Sequence, residues 1–140
     1  MKLNYIDVNG RKIKLLYTVY AMNKLGEISG KSNTLEWFQN DDKADEMGLF
    51  RKICIAIEVL ANAAIIADNC SIELGLSNGE KQKQFPEGIF ASILSPVDAA
   101  EYFKIVMNTI VKGSSFTVPD ELKIDVDEDY LAIESEKKSD

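Results

Sequence analysis

The stretch 47–68, MGLFRKICIAIEVLANAAIIAD, leaves this chain few ways to fold. Phe50, Ile53, Cys54, Ile57, Leu60, Ala61, Ala64 and Ile65 recur at helical spacing and make one continuous apolar stripe. Ile55, Val59 and Ile66 lie off that stripe, so apolar side chains cover much of the circumference. A helix apolar on most sides is enclosed either by its own chain or by a partner. Arg51, Lys52, Glu58 and Asn62 interrupt the run, which argues against a membrane span.

What encloses this helix has to come from the rest of the 140 residues. A chain of this length makes one domain and buries about two thirds of its unfolded surface. The globular part is expected over 1–113, with residues 114–140 as an acidic, mobile tail. From Ser114 onward there are 9 acidic and 3 basic residues, against 14 acidic and 13 basic before it. A near-neutral body with an acidic tail is a poor surface for phosphate backbones, so nucleic acid is not an expected partner. Two cysteines, Cys54 and Cys70, suit a reducing compartment, and residues 1–5 lack a signal-peptide core. The expected location is the cytoplasm.

Upstream, residues 3–17 read as a β-hairpin. Asn9-Gly10 is the preferred type I′ turn, because both central positions need positive φ. The turn sets Val8 opposite Arg11, Asp7 opposite Lys12 and Ile6 opposite Ile13, and puts Ile6, Val8, Ile13 and Leu15 on one packing face. A lone hairpin is marginal in water, so it must dock on something. Thr18 caps a helix over 19–28 with Met22 and Leu25 inward. A single turn through Leu35, Trp37 and Phe38 follows, and the central helix is expected over 45–68. After a polar connector holding Ser77-Asn78-Gly79, Pro86 opens a short helix over 87–94. Ser95-Pro96-Val97-Asp98 starts a helix over 96–112 with Ala99, Phe103, Val106, Met107 and Ile110 on one face, ended by Gly113. The fold class is α+β, mostly helical: an N-terminal β-hairpin packed on a helical body with a long central helix.

Catalytic sites are not legible. The chain has no histidine, the usual general base and zinc ligand. Cys54 sits on the apolar stripe and reads as a buried structural thiol, and nothing near Cys70 would stabilise its thiolate. Asp125-Val126-Asp127-Glu128-Asp129 with Glu136 matches several positions of a calcium loop, but Tyr130 stands where the tight turn needs glycine. Gly30-Lys31-Ser32 lacks the upstream glycine of a P-loop, and Glu36, Glu58 and Glu101 read as helix solvent faces. No enzyme, cofactor or metal is expected. What remains is apolar surface: Ile55, Val59 and Ile66, with Trp37 and Phe38, exceed what one stripe needs. They are the candidate partner-binding residues, a groove for a partner helix or for self-association.

The opening segment, Ile6-Asp7-Val8-Asn9-Gly10-Arg11-Lys12-Ile13-Lys14-Leu15-Leu16-Tyr17-Thr18, followed by the short helix, resembles the start of siphophage tail assembly chaperones of phages and prophages of Gram-positive hosts. The likeness covers the first ~25 residues by pattern and the rest by architecture. It implies a non-enzymatic protein of the bacterial host cytoplasm, whose partners are the tape-measure protein, itself long and helical, and the tail tube protein. The charged C-terminal end would then serve as a tether. Alternative readings are a structural subunit of a phage tail or similar assembly, and a small host-directed regulator or inhibitor.

Overall fold

A computed structural model describes residues 4–31, 34–39 and 46–114. The elements run β1 (Asn4–Val8), β2 (Arg11–Leu15), α1 (Val19–Ser29), α2 (Thr34–Gln39), α3 (Glu46–Glu73), α4 (Ile89–Ile93) and α5 (Pro96–Ser114). The chain is α+β and mostly helical, with the hairpin at its N-terminal end.

The axis is α3, whose 28 residues span roughly 42 Å at 1.5 Å per residue. Every residue from 59 to 65 is buried. That happens because β2, α1, α4 and α5 all pack on this one helix. Ala56, Ala61, Ala63 and Ala64, all buried, let those neighbours come close on sides that larger residues would hold apart. The helix continues to Glu73, past the expected end at 68, and closes in a Schellman motif. Gly75 takes φ 76°, Leu76 N–H donates to Ser71 O at 2.8 Å and Gly75 N–H to Ile72 O at 3.0 Å.

The hairpin has the register expected from its turn: Ile6 pairs with Ile13, Asp7 with Lys12 and Val8 with Arg11. Asn9 at φ 53° and Gly10 at φ 86° supply the two positive dihedrals, and the Asp7 carboxylate accepts the Gly10 N–H at 2.8 Å. Ile6, Ile13 and Leu15 are buried and Val8 is half-buried. Leu16 N–H donates to Leu60 O at 3.2 Å, joining the strand's end to the middle of α3. Two further bonds fasten β1 to α5: Asn4 Nδ2 donates to Thr109 Oγ1 at 2.7 Å, and the Tyr102 hydroxyl donates to Asp7 O.

Caps explain where the other helices begin. Thr18 Oγ1 accepts from Ala21 N at the start of α1. Ser95 and Asp98 form a reciprocal box on α5: Ser95 Oγ accepts from Asp98 N and Asp98 Oδ2 from Ser95 N, both at 3.1 Å. Three expectations need correction. On α1 the buried residues are Ala21 and Leu25, and Met22 is exposed, because the helix turns its 21/25 edge to the core. The short fourth helix starts at Ile89, since Gly88 at its N-cap is left-handed (φ 82°) and holds Glu87 in a turn. Gly113 does not end α5, which runs to Ser114; its missing side chain makes room for Tyr17, whose Cβ would lie 2.5 Å from a Cβ at 113. The expected mobile tail and the calcium-like loop at 125–136 lie outside the described residues.

Candidate binding cleft

Beyond the hairpin's edge, α3 is covered by the connector at residues 81–88, which uses side-chain amides instead of apolar burial. Asn62 Oδ1 accepts from Phe85 N at 2.6 Å while its Nδ2 donates to Phe85 O at 3.2 Å. Asn69 repeats the pattern on Gln82, accepting from its N–H at 2.9 Å and donating to its O at 2.8 Å. Each asparagine imitates a neighbouring strand, satisfying one residue's donor and acceptor together. The spacing allows this. Seven helical residues from 62 to 69 rise about 10.5 Å, and three extended residues from 82 to 85 span about 10 Å. The outer end is closed by Lys81 on Glu73, which draws the Glu73 carboxyl below its ordinary pKa through that hydrogen bond and the lysine's charge. The inner end is closed by Glu58, whose Oε1 accepts from Gly88 N at 2.7 Å. Glu58 is therefore half-buried and occupied, which corrects its assignment to a solvent face.

Between the hairpin and this connector lies a cleft of about 280 Å³. Its floor is Ile13, Ala61, Ala64 and Ile65, all buried; the two alanines leave the space, and Phe85 walls it opposite β2. Phe85 stands there because Asn62 fixes its backbone and Phe90 packs on its ring at 5.1 Å between centroids. The rim is cationic. Among the described residues Arg11, Lys12 and Lys14 line it, against Asp68 as the one lining carboxylate. Lys14 Nζ lies 2.8 Å from Asp68, and the Arg11 guanidinium sits 5.3 Å from the Phe85 ring centroid. With the floor residues covered, the accessible lining is mainly the cationic rim, which suits a ligand bearing carboxylates. Nothing in the lining is arranged as a nucleophile with its base.

The five residues singled out for partner binding do not form one surface. Val59 is 5% exposed and Phe38 9%, so both are covered by the chain itself. Phe38 packs tilted against Phe103 of α5 with ring centroids 5.7 Å apart, and Trp37 is half-buried, with Lys52 donating to its carbonyl at 2.8 Å. Ile55 and Ile66 are half-buried. A helix-accepting groove along α3 is thus filled by β2, α1, α4 and α5. Cys54 is buried, and burial pushes its thiol pKa up; Cys70 is exposed. Among the described residues no cluster of His, Cys, Asp and Glu has the makings of a metal site, and no helix is long and apolar enough to cross a membrane.

The cleft was missed in the sequence because its parts lie at 11–14, 61–68 and 82–85, far apart along the chain. One signal was available. Asn62 and Asn69 are amides on a helix rich in apolar residues, and such groups, when buried, need partners. Comparison with family models, curated proteins and solved structures finds no match to this chain.

Proposed function

We propose that this chain is a non-enzymatic binding protein that acts as a tail assembly chaperone, holding a long helical tape-measure protein soluble while tube subunits assemble around it. The observation that carries the reading is the N-terminal module on which the resemblance rests. Residues 6–25 form one unit of hairpin, Thr18 cap and helix, seated on α3 and α5. That unit leaves Val19, Tyr20 and Met22 of α1 exposed, with Val19 and Met22 one turn apart on the same face of the helix start. An amphipathic partner helix is the kind of ligand such a face accepts. The binding role therefore moves from α3 to α1.

The test is co-expression with the tape-measure candidate, read as solubility and co-purification. The expected result is a long protein that is soluble only with this partner. The double variant V19E/M22E should then lose the capture with its helical circular dichroism intact. Val59→Asp, by contrast, should unfold the domain, because an unpaired charge is placed in the core. If the long protein stays insoluble and the two never co-purify, the reading falls.

A further inference from the structure

The cleft has an occupant within reach, and this inference stands apart from the chaperone reading. Arg11, Lys12 and Lys14 put three cations within four positions of a chain whose net charge is −7. Of these, Lys14 is paired with Asp68, and Arg11 rests on the Phe85 ring, without an ion pair among the described residues. The acids near the rim are few: Asp7, opposite Lys12, is a single carboxylate that also accepts the Gly10 N–H. The chain's acid is concentrated elsewhere, in Asp125-Val126-Asp127-Glu128-Asp129, and the next residues, Tyr130-Leu131, are apolar. Acid at that density is what a cationic rim would select.

Geometry allows the connection. The described chain leaves α5 at Ser114, and Gly113 packs against Tyr17. Tyr17 is three peptide units beyond Lys14, so their Cα atoms lie within about 11 Å. Asp125 follows Ser114 by a stretch able to span up to roughly 36 Å when extended. A tether of this length holds its end at an effective concentration on the order of millimolar, enough to fill a site too weak to capture a free peptide.

We propose that the cleft between β2 and the 82–85 connector is a docking site for the chain's own acidic segment, with residues 125–129 against Arg11 and Lys12.

The experiment uses the full chain and a zero-length carbodiimide, which joins a lysine amine only to a carboxylate in contact with it. Peptide mapping of the monomer should find Lys12 or Lys14 joined to residues 125–129, and the links should vanish at about 0.5 M salt. Lys12 joined to Asp7 alone, and Lys14 to Asp68 alone, overturns the proposal. Links found only in covalent dimers also overturn it, and identify a second copy's tail as the occupant. A second reading is the rate of tryptic cleavage after Lys123. It should rise several-fold in R11E/K12E, and equally in D125N/D127N/D129N, which leaves the described elements unaltered and keeps the test valid should the first variant fail to fold. An unchanged rate in a folded variant refutes the docking.

Discussion

Two coverings of α3 face each other across the cleft, and they hold by different means. On one bank the hairpin presses Ile13 and Leu15 inward, both buried, and one backbone bond from Leu16 reaches the helix. On the other bank residues 81–88 lie along the helix on rungs supplied by Glu58, Asn62 and Asn69. Apolar burial is strong but non-directional: it favours contact without dictating where along the helix the contact falls. Rungs are individually weaker but set register, since a slip of one residue in the connector would break both asparagine pairs at once. The hairpin takes its register from its own turn and needs none from α3. The connector has no regular structure of its own, so the helix supplies it.

The largest expected effect is on the apolar bank. Leu15 is fully buried, and Leu15→Ala should destabilise the fold by about 2–5 kcal/mol, from lost transfer energy and the cavity left behind. Denaturant unfolding with an unchanged m-value measures it. A loss below about 1 kcal/mol would mean that the hairpin does not rest on burial.

Next comes the inner rung. Asn62→Ala strips Phe85 of the partner for both its N–H and its C=O, an expected loss of about 1–3 kcal/mol. Asn62→Asp sharpens the comparison, because an ionised carboxylate keeps the acceptor for Phe85 N–H but has no donor for Phe85 O. If Asp proves as stable as Asn, only one of the two bonds matters and the strand-mimic account is wrong.

How much of this was legible in the sequence follows from the same contrast. The hairpin was readable down to its pairs because Asn9-Gly10 fixes register through two local dihedrals. Thr18 and Ser95 were readable as caps for the same reason: the bond each makes reaches only three residues along. The central helix was readable from its period, though its end was not: the expected end at 68 falls short of Glu73, and Gly75 sets the stop. The connector was opaque because its partners are 13 and 23 residues away, and no local preference marks an extended segment held by someone else's side chains. The five candidate binding residues were apolar excess on one helix. Whether four neighbours or a partner would cover that excess is a tertiary question, and the chain's own elements cover Val59 and Phe38.

A smaller effect belongs to the link between the hairpin and α5. Tyr102→Phe removes the hydroxyl that donates to Asp7 O, for an expected loss of about 0.5–1.5 kcal/mol. The pH dependence gives a more specific signature. Burial, with Asp98, Glu101 and Asp7 adding their charges, raises the Tyr102 pKa above its ordinary value. The folded protein thus keeps a proton that the unfolded chain gives up at lower pH. The stability from this group is fully present below the unfolded pKa and is lost as pH rises through the folded one. Urea titrations stepped through the alkaline range should show that decline in the native protein and a shallower one in the Phe variant. Equal slopes would assign the decline to other groups.

The smallest effect is at the outer rung, and there a local measurement separates what a global one cannot. Asn69 is half-buried near the helix end, so Asn69→Ala should cost only about 0.5–1 kcal/mol. Hydrogen exchange should nonetheless report it clearly, because the Gln82 amide loses its acceptor and Phe85, held by Asn62, does not. The expected outcome is faster exchange at Gln82 with protection at Phe85 unchanged. The Lys81–Glu73 contact beyond it is fully exposed on the carboxylate side and should add no measurable global stability. Its contribution has a definite sign: a carboxyl whose folded pKa is lowered stabilises above its unfolded pKa, and loses that effect as pH falls through the folded one. If exchange at Phe85 quickens together with Gln82, the rungs open as one cooperative unit. The connector would then behave like the hairpin bank, docking whole or not at all, and the contrast between the two coverings would be one of chemistry without one of mechanics.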